Sequence, residues 1–334
     1  MSASTRVLEP PEYPVQIRRI DIAPYRLSAT GIDYLHSVDS GQPGPHVMVN
    51  ALTHGNEWCG LHVVCRLLDM GLRPRAGRLT LSLANVAAYE TPGPDGTGQR
   101  FLERDFNRLW HDDLLAADTQ SVEARRAHQM RPVVATVDRL LDLHSTWHAL
   151  QPFFVLSQLP RVRALADALA LPPRQLFLPD VWHEGYHLID YGAFRRADTG
   201  AVGLIAECGQ HFAQSSVDTA WRIAVRFLQF HGIVDASQAE AMAPGTGDAE
   251  PLTLERYEIA VPVLARTDAL RLTCSYAGFV RFNQGEVAAI DGDAPVLAPF
   301  DGAVLLAPRP SPRAGQQAFS WGRTVGAAAS PPLG

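Results

Sequence analysis

Residues 45–57, PHVMVNALTHGNE, decide how this chain folds. The apolar run from Pro45 to Ala51 reads as a buried strand, and it empties into the polar turn Thr53-His54-Gly55-Asn56-Glu57. An apolar helical run follows from Glu57 to Met70, and Gly71 ends it. A buried strand passed through a short turn into a helix opens a β-α arrangement.

The alternation continues outward from that stretch. Strands are expected at 79–84, RLLDLH (139–144), PFFVLS (152–157), QLFLP (175–179) and VGLIAE (202–207). Helices are expected at 121–138, near 160–170 and at 216–231. The Gly/Pro segment ETPGPDGTGQR (90–100) offers no regular structure of its own. Such a pattern predicts an α/β fold, a mixed and mostly parallel sheet flanked by helices. Functional groups in these sheets gather at the carboxyl ends of the strands. His54, His144 and Glu207 each fall at or just after a predicted strand.

Around 235–250 the composition shifts to Ala, Gly, Ser, Gln and Glu, which reads as a linker. Beyond it come short strand-like runs broken by Gly, Pro and Asp. The expected division is an α/β domain over 1–235, a linker over 236–250, and a small all-β domain over 251–334 whose tail AAASPPLG is disordered. APFDGAVLLAP, at 298–308, looks like a hammerhead or biotinyl-type β-structure, and a cover over the site entrance is its expected role.

Composition narrows the function classes. Of 334 residues, 46% are hydrophobic and 19% charged, ordinary values for a globular protein. A formal charge of −6 argues against a nucleic-acid partner. The N-terminal residues lack a signal-peptide layout, and no apolar stretch approaches the roughly 20 residues that span a bilayer. A cytoplasmic protein without a membrane partner is expected, with homo-oligomerisation left open. The four cysteines form no CxxC pair and are expected to be reduced and mostly buried. All 29 basic residues are arginine, so Schiff-base lysine chemistry and biotin or lipoate attachment are excluded.

The chemistry-bearing residues come next. His54-Gly-Asn-Glu57 lets an imidazole and a carboxylate converge on one metal ion, and Asp142-Leu-His144 offers a third ligand. Two histidines, one glutamate and an open position make a hydrolytic rather than a structural zinc site. Alone, HxxE occurs in many helices by chance. Arg100 to Arg108 (RFLERDFNR) provides planar forks for carboxylates or oxyanions, although pairing with Glu103 and Asp105 would explain those arginines equally well. Glu207 ends a buried strand, where a carboxylate is costly unless it meets a ligand, a metal or an arginine. A competing metal motif is the literal HExxH of His183-Glu184-Gly185-Tyr186-His187, with Glu207 downstream as in a gluzincin protease. That reading needs a helix, and the segment's central Gly and bulky aromatics are poor helix material. A loop lining the pocket is the expected form.

In order along the chain, HGNE at 54–57, Arg100 followed by Asn107-Arg108, DLH at 142–144 and the strand-end Glu207 resemble the aspartoacylase/succinylglutamate desuccinylase family, relatives of the zinc carboxypeptidases. The likeness runs from about residue 45 to 230, with a β-rich C-terminal part after it. It implies a zinc carboxypeptidase-like fold with one zinc ion per chain on His54, Glu57 and His144. It further implies that Arg100 polarises the scissile carbonyl while Asn107 and Arg108 grip the carboxylate of the amino-acid portion. Glu207 would take a proton from the attacking water and pass one to the leaving amine. The arginine that recognises acidic substrates in this family falls nearest Arg195 and Arg196, and Arg196 is the expected substrate-binding residue. The family's late tyrosine has no counterpart, since the last tyrosine is Tyr276. The implied function is a zinc-dependent deacylase acting on a small N-acyl amino acid. Alternatives are a zinc carboxypeptidase acting on short peptides, the gluzincin-type protease, and a non-catalytic zinc- or ligand-binding protein.

Overall fold

The computed structural model describes residues 6–93, 96–179, 185–245 and 253–326. Strands β1 (Leu35–Asp39), β2 (His46–Ala51), β3 (Arg78–Leu83), β4 (Arg139–Thr146), β5 (Phe153–Leu156), β6 (Arg174–Phe177) and β7 (Val202–Gln210) alternate with helices. The helices are α1 (Cys59–Asp69), α2 (Val86–Glu90), α3 (Asp112–Ala117), α4 (Val122–Val134), α5 (Pro160–Leu169), α6 (Gln214–Phe230) and α7 (Ala236–Met242). The chain ends in strands only, β8 (Glu255–Leu264), β9 (Arg271–Leu272), β10 (Val280–Phe282), β11 (Val287–Asp291), β12 (Ala294–Leu297), β13 (Ala303–Leu306) and β14 (Gln317–Thr324).

One large sheet runs in the order β1-β3-β2-β4-β7-β5-β6-β8-β14-β13-β10, and a small antiparallel sheet runs β12-β11-β9. Pairing is parallel through β3, β2, β4 and β7, and β5 turns antiparallel to β7. This is the mixed α/β architecture that the alternating pattern predicts. The C-terminal strands do not stand apart from it. Strand β8 pairs in parallel with β6, so the sheet continues without a break from the α/β part into the β-rich part.

Side-chain alternation divides the core between the two faces of the sheet. Leu141, Leu143, Phe154, Leu156, Leu204 and Ala206 point to the face covered by α1 and α6. Leu140, Phe153, Val155, Leu176 and Ile205 point to the other face. Counting by twos along β4 and β7 puts Asp142, His144 and Glu207 on this second face. Strand β7 is apolar up to Glu207 and shows no polar alternation, whereas RLTLSL in β3 and LDLH in β4 do alternate.

Some boundaries differ from expectation. Helix α1 starts at Cys59, leaving Glu57 in the turn, where its N–H donates to the His54 carbonyl at 3.1 Å. Residues 236–242 are helix rather than linker. Asp235 and Gln238 form a reciprocal capping box there, and the Trp221 indole N–H donates to the Met242 carbonyl at 2.8 Å. The Ala/Gln/Glu composition that suggests a linker is equally good helix material once it has a cap and a docking surface. The rest of the expected linker, 246–250, and the expected disordered tail at 327–334 lie outside the described residues. No helix among the described residues is long and apolar enough to cross a membrane.

Candidate metal centre

Strand β2 ends at Ala51, and Leu52 takes a left-handed conformation (φ +56°) that turns the chain toward Thr53 and His54. Such a conformation is uncommon for a branched residue and persists only where surrounding packing enforces it. Leu52 is fully buried, and its carbonyl accepts from the Asn85 N–H. Parallel pairing of β4 with β7 sets His144 opposite Glu207. The HGNE turn and the two strand positions therefore meet at one end of the sheet.

His54, Glu57 and His144 are buried, and their ligand atoms all lie within 4.8 Å of one another. His54 turns Nδ1 to Glu57 Oε1 at 2.8 Å and Nε2 to Asp105 at 3.0 Å. His144 repeats the arrangement, with Nδ1 at 2.9 Å from Glu57 Oε2 and Nε2 at 2.8 Å from Asp142. Asp142 is held in turn by Asn50 and Thr53, each at 2.8 Å.

This donor set fits a dication. With each Nε2–H given to a carboxylate, both Nδ1 lone pairs face the oxygens of one carboxylate, and three such donors repel unless positive charge stands among them. The electrostatics agree. Burial would lower the His144 imidazole, but Asp142 and Glu57 override it and hold it well above its usual range. Burial would raise the Glu57 carboxyl, but His54 and His144 hold it well below. Two imidazoles, one carboxylate and an open side suit a zinc ion.

Glu207 is half-buried beside this set, and its Oε2 has no hydrogen-bond partner among the described residues. Burial first, then the Glu57 charge, pushes its carboxyl up to about 8. Arg100 donates to Glu57 Oε1 and Asp105 Oδ2, each at 3.2 Å. Its guanidinium thus makes the expected alternative pairing with Asp105, not with Glu103, and also reaches Glu57 of the His-Glu-His set. Asn107 is buried and accepts from the Leu188 N–H at 2.8 Å, and Arg108 donates to the Asn107 carbonyl at 2.9 Å. His54, Glu57, Arg100, Asn107, Arg108, His144 and Glu207 line one cavity of about 380 Å³.

One expectation is corrected. Arg196 does not join the site. Its side chain is 64% exposed, pairs with Asp198 at 2.6 Å, and is absent from the cavity wall. Its carbonyl, with those of Ala193 and Phe194, accepts from Arg161, so the turn is anchored by backbone while Arg195 and Arg196 are exposed. Gly185–His187 is not a helix, in keeping with the expected pocket-lining loop. Tyr186 bridges Leu109 in parallel, and a Cβ on Gly185 (φ +126°) would sit 2.1 Å from the Arg108 carbonyl oxygen. His187 lines the cavity from this extended segment, with Nδ1 3.0 Å from Asp190. His183 and Glu184 lie outside the described residues.

Other contributors are not evident from motif spacing. Asp142 shares a strand face with His144 two residues on, a relation that the period-two rule could have flagged. Buried Glu123 accepts from the N–H groups of Leu102, Glu103 and Arg104, clamping the loop that carries Arg100. Ser145 Oγ lies 2.8 Å from His211 Nδ1, both buried on the cavity wall. Leu306, Pro308, Gln317 and Ser320 close the cavity from the C-terminal strands, the covering role expected of that region. Cys208 is buried, and burial holds its thiol well above the usual range, which argues against a nucleophile.

Comparison with known proteins agrees with this geometry. The succinylglutamate desuccinylase/aspartoacylase catalytic domain matches residues 43–219. A succinylglutamate desuccinylase of Burkholderia pseudomallei (strain 1710b) is 24% identical over 315 residues, covering 88% of this chain and 84% of that protein. The product-bound ectoine utilization protein EutE (DoeB) from Ruegeria pomeroyi shares the fold with a TM-score of 0.65 at 16% identity, over 87% of this chain and 88% of that one. A succinylglutamate desuccinylase/aspartoacylase from Rhodobacter sphaeroides gives a TM-score of 0.63 at 18% identity, over 89% and 90%. The domain match spans more than half of the chain and includes every residue of the centre from His54 to Glu207, so the chain belongs to the succinylglutamate desuccinylase/aspartoacylase family.

Proposed function

We propose that the protein is a zinc-dependent deacylase that cleaves the amide bond of a small N-acyl amino acid, with one zinc ion per chain on His54, Glu57 and His144. The observation that carries this is a compact His-Glu-His set with Glu207 alongside, its Oε2 buried and unpartnered among the described residues. Zinc in such a set supplies Lewis acidity, polarising a carbonyl and making water acidic enough to yield hydroxide near neutral pH.

The chain's own residues do the rest. Glu207 takes the proton released as water attacks the carbonyl carbon, then gives a proton to the amine nitrogen as the C–N bond breaks. One carboxylate serves both transfers because they are sequential. Arg100, already aimed at Glu57, donates to the carbonyl oxygen as it gains charge. Asn107 and Arg108 hold the substrate carboxylate and orient the amide. The modest cavity, closed on one side by the C-terminal strands, favours a small molecule over a peptide. The relative named as a succinylglutamate desuccinylase supports an N-acyl amino acid as the substrate class.

Metal analysis coupled to a panel of N-acyl amino acids tests the reading. Glu207→Gln should keep its zinc and lose activity by about 10²- to 10⁴-fold; full activity in that variant would end the proposal. His144→Ala should lose zinc while His187→Ala keeps it. The reverse result would restore the HEGYH segment as the metal site.

A further inference from the structure

Beyond Glu207 the cavity changes character. Strand β5 pairs with β7 so that Phe153 stands opposite Glu207 and Val155 opposite Ile205. Strand β6 sets Leu176 beside Val155, and Leu178 follows on the same face. Ile259 of β8 and Leu306 of β13 continue the surface into the C-terminal strands. The cavity wall is thus polar at the His144–Glu207 end and aliphatic or aromatic along β5 and β6, with Gln317 and Ser320 of β14 returning polar groups at the far side. Val155 and Leu178, at 8% and 7% exposure, keep a little surface open to the cavity.

The orientation of the substrate follows from Glu207. A group that protonates the leaving amine must lie on the amine side of the scissile bond, so the space past Glu207 receives the amino-acid portion. Its α-carboxylate is matched by Asn107 and Arg108. A second carboxylate lying on the wall would need a second cation. Among the described residues of the cavity, Arg100 pairs with Glu57 and Asp105, and Arg309, exposed, comes from the C-terminal segment past Leu306 and not from the Phe153–Leu178 wall. A charged side chain buried against Phe153, Val155 and Leu178 would lose its hydration with nothing in return, whereas an apolar one gains by leaving water.

Resting on the deacylase reading above, we propose that the substrate is an N-acyl amino acid with an apolar side chain, read by the wall from Phe153 to Leu178. The zinc-loaded protein should hydrolyse N-acetyl-leucine and N-acetyl-phenylalanine with kcat/KM at least ~100-fold above N-acetylaspartate and N-acetylglutamate. Calorimetry should show free leucine binding at least ~10-fold tighter than free aspartate. Leu178→Arg should narrow both preferences about tenfold or more. Val155→Thr, nearly the same shape and so the safer variant for folding, should lower kcat/KM for N-acetyl-leucine several-fold more than that for N-acetylaspartate. Preference for the acidic substrates, or leucine binding no tighter than aspartate, overturns the proposal. If leucine binds preferentially but no N-acyl amino acid is turned over, the deacylase reading falls and the apolar preference stands. If neither amino acid binds and nothing is turned over, both fall.

Discussion

Asp142 shows how much of the centre depends on single side chains outside the motif. It accepts from Asn50 and Thr53 and presents its other oxygen to His144 Nε2, which fixes Nδ1 as the free lone pair. Asp142→Asn keeps the volume and removes the charge, so metal affinity should fall about 10- to 100-fold, measured by competition with a chelator. Unchanged affinity would mean that His144 needs no such partner. The four residues at the centre were legible in the sequence because they lie in short motifs at strand ends. Arg196 was misplaced because adjacency to a motif says nothing about which way a turn points its side chains. There, the backbone contacts with Arg161 decide the direction.

At the scale of elements, helix α1 and the loop before α4 carry testable constraints. Gly60 lets α1 lie directly on the sheet, since a Cβ there would meet Leu143 Cβ at 2.6 Å and Ala51 Cβ at 2.9 Å. Gly60→Ala should gain about 1 kcal/mol of helix propensity. It should lose more to the collision, since overpacking costs about 1–3 kcal/mol and these partners are anchored to strand backbone. The expected result is a lower Tm, and a higher one would show that α1 can shift. Glu123→Gln removes the charge that gathers three loop N–H groups, hydrogen bonds worth about 1.5–3 kcal/mol apiece to a charged group. Loop 100–108 should loosen, lowering kcat/KM with the metal still bound, which kinetics and metal analysis together would reveal. Neither constraint is visible as a motif. Gly60 and Glu123 acquire their meaning from contacts far away in sequence.

Buried His148 and half-buried His231 each contribute a pH dependence of definite sign to the stability of the whole molecule. Burial holds His148 down to about 4. Burial, with help from Arg139, holds His231 down to about 3. In the unfolded chain both take up protons below about pH 6.5. Between that value and their folded values the unfolded state binds more protons, so stability falls as pH drops from about 6.5 toward 4. His231 packs against Phe227 and Phe230, and its Nε2 has no hydrogen-bond partner among the described residues. His231→Phe should therefore flatten the decline in Tm over that interval. Parallel Tm curves for variant and wild type would rule out its contribution.

The sequence by itself determined the α/β alternation and pointed to His54, Glu57 and His144, which the fold brings together as a buried set with Glu207 beside them. Strand and helix periods and short metal-ligand spacings are local, so they survive in one dimension. Only the tertiary structure decided that β4 and β7 lie side by side with His144 opposite Glu207, because pairing between distant strands leaves no local trace. It also decided that the C-terminal strands extend the main sheet through the β6–β8 pair and wall the cavity. Pairing between strands almost eighty residues apart leaves no periodic trace. The apolar surface beyond Glu207 exists only once that pairing has formed.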